Sequence, residues 1–372
     1  MKPSRILVID DEPGLLRAVE RVLGTFHTVI GTPSSKDALS LAADFRPALA
    51  LVDIRMPELD GFELMTRLKA RFPEMDIILM TGSIDDLDEK LVKALRSPAF
   101  YFIQKPFDRD VLWTLVERCL ELRERREEHQ RNVERLETEM AEARAFQRSL
   151  LPEPETIVNG LAISCSYTPC ARLGGDLYDY AAADSQTALL IADVSGHGVS
   201  AAMLTGVVKS AFHASRLDGY DPLAVVQRVW SSLAAFSPER FVTLFAALVG
   251  TRERRLRYVN AGHPPILLWG PHRGLVWLDS TGPLISPVLP ASAWDVRTEA
   301  IGEGDQLLLY TDGVSDVFAS SEACPQTRLQ TTVERAASGA QLLNAIRAAV
   351  DHDLDGRPQP DDLTLLTAQM LG

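Results

Sequence analysis

Four separated segments of the chain carry aspartates after an apolar run, after paired glycines or directly before an apolar run. They are "RLGGDLYDY" with Asp176, "ALLIADVSGHG" with Asp193, "LLLYTDGVSD" with Asp312 and "QPDDLTLL" with Asp361 and Asp362. One Asp-Gly segment is either an ordinary turn or a carboxylate presented from the end of a sheet. Four carboxylates that converge need divalent cations, and two metal ions about 3.5 to 4 Å apart can hydrolyse a phosphate monoester.

A second set of polar residues lies at the ends of apolar runs nearer the N-terminus. It comprises Asp10, Asp11 and Glu12 after the first run, then Asp53, Thr81 and Lys105 after three later ones. Crowded carboxylates repel one another unless a hard cation sits among them, and an oxygen-lined site that keeps some waters suits Mg²⁺. A lysine and a hydroxyl nearby would hold a phosphoryl group on Asp53. Each piece alone is more often a solvated loop, but the combination favours the chemical interpretation.

Composition sets limits on these interpretations. The chain has 372 residues, 46% of them hydrophobic, which allows two domains with sizeable cores. Its net charge of −13 disfavours nucleic acid as a partner. The four cysteines, Cys119, Cys165, Cys170 and Cys324, form no CxxC pair and are interpreted as packing residues. The first residues do not resemble a secretory signal and no apolar run is long enough for a membrane span, so we expect a cytoplasmic protein without membrane contact.

The first 108 residues alternate apolar strands with amphipathic helical stretches. The strand-like runs are "RILVID", "ALALVD", "DIILMT" and "FYFIQKPF". Alternation of this kind predicts an α/β doubly wound domain with a parallel five-stranded sheet, whose functional residues gather at the carboxyl ends of the strands. The polar set described above occupies those ends.

Several motifs in this region resemble the receiver domain of bacterial response regulators: "VIDDEPGLLRAV", "ALVDIRMPELDGFEL", "ILMTG" and "YFIQKPF". We assign residues 1–120 to this domain. The resemblance implies that Asp53 accepts phosphate from a cognate histidine kinase. It also implies roles for the surrounding residues: Mg²⁺ binding by Asp10, Asp11, Asp53 and the backbone carbonyl of Arg55, phosphoryl contacts from Thr81 and Lys105, and an aromatic switch at Phe102. The peptide bond into Pro106 is a candidate for the cis form. Ser97-Pro98 replaces the glycine-alanine turn common in such domains.

Residues 109–151 lack glycine and proline up to Pro152 and predict one long charged helix, which overlaps the last receiver helix. Nine of its twelve heptad positions are apolar; the twelve are Leu112, Leu115, Cys119, Leu122, Arg126, His129, Val133, Leu136, Met140, Ala143, Gln147 and Leu150. This pattern favours a coiled coil about 60 Å long that makes the protein a homodimer. The alternative is a single connecting helix packed against one of the domains. His129 is interpreted as a seam residue and not as a phosphorelay histidine.

The segment 152–372 has the pattern of an α+β domain with two packed, largely antiparallel sheets flanked by helices. Its strand-like runs are "TALLIADVS", "FVTLFAALVG", "RLRYVNAGHPPILLWG", "GLVWLD", "DQLLLYTDG" and "DDLTLLTAQM". Helices are predicted at 199–216, 222–236 and 338–352. Carboxylates at different strand ends can converge only if the two sheets pack face to face.

The motifs "GGDLYDY", "IADVSGHGVSAAML", "VNAGHPPILL", "LLLYTDGVSDV" and "PDDLTLL" resemble the SpoIIE-type branch of the metal-dependent PPM serine/threonine phosphatases. The preceding "AFQRSLLP" resembles the helix that leads into those domains. The resemblance implies two Mn²⁺ or Mg²⁺ ions, with Asp193 bridging both and the Val194 carbonyl beside it. Asp176 then serves one ion and Asp312 with Asp361 the other, while Asp362 supports them without binding metal directly.

Two departures and one rival chemistry bear on this interpretation. Asp316 stands where a glutamate is common. No arginine motif for binding phosphate is visible, so the metals are expected to hold the substrate phosphate.

"DVSGHG" is not the G-x-S-x-G motif of a serine hydrolase. His197 and His263 are interpreted as turn or structural residues, with metal ligation as a minor alternative. Gly196 and Gly198 are expected to permit close backbone approach at a helix start.

Two functions of different classes follow from the sequence. The first is a protein serine/threonine phosphatase controlled by phosphorylation at Asp53. Its implied substrate is a phosphorylated anti-sigma-factor antagonist, and activation on phosphorylation is the expected sign. The second is a non-catalytic adaptor whose phosphatase-like domain only binds a partner protein. Retention of all four aspartates favours catalysis.

Overall fold

The structure is a computed structural model, and it describes residues 2–57, 59–82, 100–236, 239–291, 293–319, 324–335 and 339–372. The chain divides into two compact units, Met1–Leu136 and Glu137–Gly372. Ser97 and Pro98, where the sequence departs from the receiver pattern, lie outside the described residues. No helix among the described residues is long and apolar enough to span a membrane.

The N-terminal unit is built on a parallel five-stranded sheet with the strand order β2-β1-β3-β4-β5. The strands are β1 Arg5–Ile9, β2 Thr28–Thr32, β3 Leu49–Asp53, β4 Asp76–Thr81 and β5 Phe100–Gln104. The described helices are α1 Pro13–Leu23, α2 Ala38–Phe45, α3 Gly61–Arg71 and α4 Arg109–Leu150, the last called the long helix below.

Both faces of this sheet are covered, as the predicted doubly wound fold requires. Successive side chains of a strand point to opposite faces. Ile6 and Val8 therefore pack with α1 and the long helix, while Leu7 and Ile9 pack with α2 and α3. The predicted α/β class of this unit is confirmed.

The long helix has two distinct parts within the heptad pattern. At its start, Leu112 and Cys119 are buried in the core of the N-terminal unit. Further along, the heptad residue Arg126 donates to Asp76 at 2.7 Å. From there the apolar heptad residues are half-buried or exposed, and Leu136 is 52% exposed. The first part of the heptad pattern therefore packs within the N-terminal unit, as in the alternative of a single connecting helix. Only the later part of the pattern is available for pairing with the helix of a second copy.

The C-terminal unit contains two antiparallel sheets. The first has the order β14-β11-β10-β9-β8 and the second β13-β12-β15-β16-β7-β6. Their strands are β6 Glu155–Val158, β7 Leu161–Thr168, β8 Asp176–Ala183, β9 Gln186–Val194, β10 Val242–Gly250, β11 Arg255–Ala261, β12 Ile266–Gly270, β13 Arg273–Leu278, β14 Arg297–Ala300, β15 Gln306–Tyr310 and β16 Leu363–Met370. The helices are α5 Val199–Ala214, α6 Pro222–Phe236, α7 Asp312–Ala319, α8 Pro325–Arg335 and α9 Ala340–Leu354, with a 3-10 turn at Ser215–Asp218.

The two sheets pack face to face with helices outside. One apolar cluster lies between them and joins strands of both, for example Ile191 with Leu309. A second lies under α5 and α6, and a third under α7, α8 and α9. The predicted α+β class is confirmed. The helices α7 and α8 are not predicted by the sequence, because "TDGVSDV" has the composition of a turn and α8 has a weak apolar pattern.

Candidate functional site

A hairpin of the first sheet brings two of the predicted aspartates together. Strands β8 and β9 pair antiparallel with Asp176 directly opposite Asp193. Asp176 is buried and Asp193 is half-buried. Opposed residues on one face of an antiparallel pair have β-carbons about 4.5 to 5.5 Å apart, so the two carboxylates share one site.

The other predicted aspartates come from the second sheet. Asp312 follows the end of β15 and Asp361 precedes the start of β16, and these two strands pair antiparallel. The end of one such strand lies beside the start of the other. Sheet pairing alone therefore brings Asp312 near Asp361, although three helices and their loops separate the two residues in sequence.

The carboxylate of Asp176 is held by Thr364 of β16 and by Thr311, which directly follows β15. The hydroxyl of Thr311 donates to its Oδ2 at 2.7 Å, and that of Thr364 donates to the same oxygen at 2.5 Å. Both threonines are fully buried. These contacts fix one carboxylate oxygen and join the two sheets at the site.

Asp362 holds the backbone that carries Asp176. Its Oδ2 accepts from the amide of Gly175 at 2.6 Å and its Oδ1 from the amide of Cys170 at 2.8 Å. Both oxygens are thus occupied by backbone donors. The resemblance implies a supporting position for Asp362, and these two hydrogen bonds are compatible with it.

Burial and mutual repulsion raise the pKa of all four aspartates. For Asp193 burial is the largest cause, followed by the charges of Asp312, Asp361 and Asp362. Burial also raises the pKa of Asp176 well above its ordinary value, with Asp193 adding to it. Burial and neighbouring carboxylates act in the same direction on Asp312 and Asp361. Neutralising such a group of charges is what a divalent cation does, and oxygen ligands suit Mg²⁺ or Mn²⁺.

The four aspartates do not form one compact set of ligand atoms. Among the described residues, two sets of three or more His, Cys, Asp or Glu residues have ligand atoms within 4.8 Å of one another. They are Asp10, Asp11 and Asp53, and Cys170, Asp361 and Asp362. Ligands of a two-ion centre are distributed over two coordination spheres, so a wider spread fits two ions better than one. The proximity of Cys170 to Asp361 is not expected from the sequence, whose pattern indicates only a packing role for the cysteine.

The loop 195–198, which follows Asp193 and Val194, requires its glycines. Gly196 and Gly198 have φ of 85° and 83°, where other residues are strained. Gly175 packs against the Val194 carbonyl, and a β-carbon there would come within 2.6 Å of that oxygen. Close backbone approach, which the sequence analysis expected at Gly196 and Gly198, is found at Gly175 instead: a β-carbon at Gly198 would meet no atom within 4 Å, and one at Gly196 would meet only the Arg240 side chain.

Three further polar residues near this site are His263, His197 and Asp316. His263 is buried, and its Nδ1 lies 2.9 Å from the Thr243 hydroxyl. Burial lowers its pKa to about 3, so the ring is neutral. His197 is exposed, and its charge would lower the pKa of Asp361. Asp316 is exposed and raises the pKa of Asp312 and Asp361.

The N-terminal unit has its own acidic site at the carboxyl ends of the strands. Asp10 is fully buried and Asp53 is 5% exposed. The ammonium of Lys105 lies 2.6 Å from Asp10 Oδ2 and 2.9 Å from Asp53 Oδ1. Burial raises the pKa of Asp53, and the hydrogen bond from Lys105 opposes that rise. Burial would lower the pKa of Lys105, but its bonds to the two carboxylates outweigh burial and raise it.

The other predicted residues of this unit lie in or next to the strands β3, β4 and β5. Arg55 follows Asp53 by two residues, and Thr81 is the buried last residue of the neighbouring strand β4. Phe102 is 41% exposed in β5. The peptide bond between Lys105 and Pro106 is cis, as predicted.

Two family models match the chain. One described as Stage II sporulation protein E (SpoIIE) matches residues 183–371, just over half of the chain, and one described as a response regulator receiver domain matches residues 6–117. Phosphoserine phosphatase RsbP of Bacillus subtilis (strain 168) is 33% identical over 190 residues, which are 49% of this chain and 46% of that protein. The chain spans less than half the length of curated relatives such as this one.

Solved structures show the same fold. The crystal structure of the RsbU and RsbW domains of Rv1364c from Mycobacterium tuberculosis is 25% identical, with a TM-score of 0.50, covering 57% of this chain and 60% of that chain. The SiaA-PP2C domain of Pseudomonas aeruginosa is 19% identical, with a TM-score of 0.54, covering 64% of this chain and 98% of that chain. The second likeness concerns the fold alone.

Proposed function

Because this chain belongs to the SpoIIE family and carries a receiver domain ahead of its PPM phosphatase domain, we propose that it is a response regulator whose output is protein dephosphorylation. The reaction would be metal-dependent hydrolysis of a phosphoserine or phosphothreonine in another protein. The proposed boundaries are 1–120 for the receiver, 109–151 for the helical linker and 152–372 for the phosphatase domain.

The observation that carries this proposal is the position of Asp176 opposite Asp193 in a buried hairpin, with Asp312 and Asp361 supplied by the facing sheet. Four carboxylates whose pKa values are all raised are costly to bury without a function. A degenerate adaptor is under no physical requirement to keep them, since any apolar replacement would remove the repulsion.

The residues present fit two divalent ions. Asp193 would serve both ions, with the Val194 carbonyl beside it. Asp176 would serve one ion, and Asp312 with Asp361 would serve the other. When bound, the ions supply a hydroxide at neutral pH and a charge clamp for the phosphoryl oxygens. The chain itself orients Asp176 through Thr311 and Thr364.

Phosphate release from a generic aryl phosphate tests this function. We expect activity with Mn²⁺ or Mg²⁺ and none with a chelator, and a loss of orders of magnitude in Asp193→Asn and Asp312→Asn. Asp184→Asn is the matched control, because Asp184 lies exposed at the turn of the same hairpin. Full activity in Asp193→Asn would exclude the proposed centre. Binding of a partner protein without any hydrolysis by the wild type would instead favour the adaptor.

We further propose that Asp53 controls the output. Asp10, Asp11 and the Arg55 carbonyl would hold Mg²⁺ while a histidine kinase transfers its phosphate to Asp53. Lys105, which already contacts Asp53, would stabilise the transferring group. Thr81 and Phe102 would then change position, which is the switch that the receiver resemblance implies.

The long helix is the proposed route of control, since it contributes residues to both units. Near its end, in "AFQRSLLP", Gln147 is buried and forms two hydrogen bonds with the backbone of Gly174. Gly174 is two residues from Asp176. A change in the pairing of the long helix would therefore be transmitted through Gln147 and Gly174 to the proposed metal ligand Asp176. Coupling of this type has typical values of about 1 to 3 kcal/mol.

The proposed substrate is a phosphorylated anti-sigma-factor antagonist, as the resemblance to SpoIIE-type phosphatases implies. Phosphate release from such a protein should be faster when an acyl-phosphate analogue occupies Asp53. Identical rates and affinities in both states would leave the phosphatase intact and exclude the control.

A further inference from the structure

Arg240 joins both ends of the loop 195–198. Its Nη1 donates to the carbonyl of Ser195, and its Nη2 donates to the hydroxyl of Ser200 at 2.9 Å. Ser195 stands next to Val194, whose carbonyl is a proposed metal ligand, and Ser200 is the second residue of α5. The guanidinium therefore spans the loop between the metal site and the helix.

The start of β10 fixes the same loop from the backbone side. The amide of Phe241 donates to Ser195 Oγ at 3.1 Å, and the amide of Ser195 donates to the Phe241 carbonyl at 2.9 Å. Gly196 lies beneath the Arg240 guanidinium, where a β-carbon would overlap Nη1. The loop is thus held on one side by Phe241 and on the other by Arg240.

The chemistry of these contacts separates Arg240 from an ordinary surface arginine. Among the described residues it forms no ion pair; its donors go to a carbonyl and a hydroxyl, and its side chain is half-buried. A planar guanidinium can serve two acceptors at a fixed separation, which a lysine cannot do. Hydrogen bonds from a charged donor are also stronger than neutral ones.

We propose that Arg240 is a positioning residue that sets the loop 195–198 so that Asp193 and the Val194 carbonyl face the metal centre. This inference rests on the proposed function, because it takes those two groups as ligands. Arg240 acts through the loop and touches neither group. The sequence did not indicate it, since the residue lies outside every quoted motif.

The test compares the full-length wild type with Arg240→Ala, Arg240→Lys and Ser200→Ala, with Arg252→Ala in an exposed turn as the matched control. Mn²⁺ affinity is measured by titration calorimetry, and the binding that remains in Asp193→Asn is assigned to the receiver site and subtracted. Loss of a group that orients a ligand typically weakens metal binding by about 10-fold to 100-fold. We expect that loss in Arg240→Ala, a smaller one in Ser200→Ala and partial recovery in Arg240→Lys.

Two measurements on the metal-free protein complete the test. Amide hydrogen exchange at 195–200 should become faster in Arg240→Ala, and the thermal unfolding midpoint should match that of Arg252→Ala. Wild-type Mn²⁺ affinity and unchanged exchange in Arg240→Ala would overturn the proposal, as would a lowered midpoint that shows a general role in folding. Mn²⁺ binding that is the same in the wild type and in Asp193→Asn would come from the receiver site alone and would refute the proposed function itself, which is a separate failure because it does not depend on any Arg240 variant.

Discussion

Replacing Gln147 tests how firmly the end of the long helix is joined to the metal-site backbone. Gln147 is 7% exposed. Its Nε2 donates to the Gly174 carbonyl at 2.7 Å, and its Oε1 accepts from the Gly174 amide at 3.3 Å. The change Gln147→Ala removes both partners and leaves two buried backbone groups without them.

The expected cost follows from those two groups. A buried donor or acceptor that loses its partner costs about 1 to 3 kcal/mol, so two cost roughly 2 to 6 kcal/mol. The space left by the side chain can admit water, which reduces the penalty. We therefore expect the free energy of unfolding of the C-terminal unit to fall by about 2 to 4 kcal/mol.

Guanidinium unfolding followed by tryptophan fluorescence measures this loss, because four of the five tryptophans lie in the C-terminal unit. These four are Trp230, Trp269, Trp277 and Trp294, and Trp113 lies in the N-terminal unit. Gln130→Ala is the matched control on the same helix, since Gln130 is exposed and its side chain donates a hydrogen bond to Glu134. The control should change stability by less than about 0.5 kcal/mol. Equal stability of the two variants would refute the reasoning.

Three further predictions concern other parts of the chain. Acetyl phosphate with Mg²⁺ should label the wild type but not Asp53→Ala; an acid-stable label that persists in the variant would contradict the receiver assignment. Leu136→Lys should convert a dimer, detected by light scattering, into a monomer, whereas Val111→Lys, exposed on the same helix outside the heptad positions, should not. Burial lowers the pKa of His263 from 6.5 to about 3, so its contribution to stability is complete above pH 6.5 and is lost as pH falls. Between those values the wild type should lose about 1.4 kcal/mol per pH unit more than His263→Gln, as urea titrations at several pH values would show.

The sequence was most informative where the fold is local. In the N-terminal unit the strands β1, β2, β3 and β5 are each followed by a described helix. The alternation alone therefore places the polar residues at strand ends, Asp10 and Asp53 among them, at one edge of the sheet. The same logic placed Asp193 and Asp312 at strand ends. It could not place α7, because Asp312-Gly313 has the composition of a turn, whereas Gly313 in fact allows close approach to the Asp362 carbonyl.

Contacts between distant segments left no pattern in the sequence. Arg240 lies 45 residues from Ser195, and Cys170 lies 192 residues from Asp362. Neither contact has a periodicity or a motif that could indicate it. Arg126 shows a different limit: the heptad pattern indicated only a polar interruption of the coiled coil there, whereas the arginine pairs with the buried carboxylate of Asp76, which requires a partner.

The hairpin of β8 and β9 makes the length of a remote turn critical for the proposed metal centre. Its two-residue turn, Asp184 and Ser185, is followed by eight residue pairs, and the last of them joins Asp176 to Asp193. Side chains alternate between the two faces of a strand, so one residue inserted at the turn and absorbed as a slip in pairing would turn one aspartate away from the other. Insertions or deletions at this exposed turn should therefore disturb the proposed metal centre far more than amino-acid substitutions there. The turn can vary in composition as long as its length is constant.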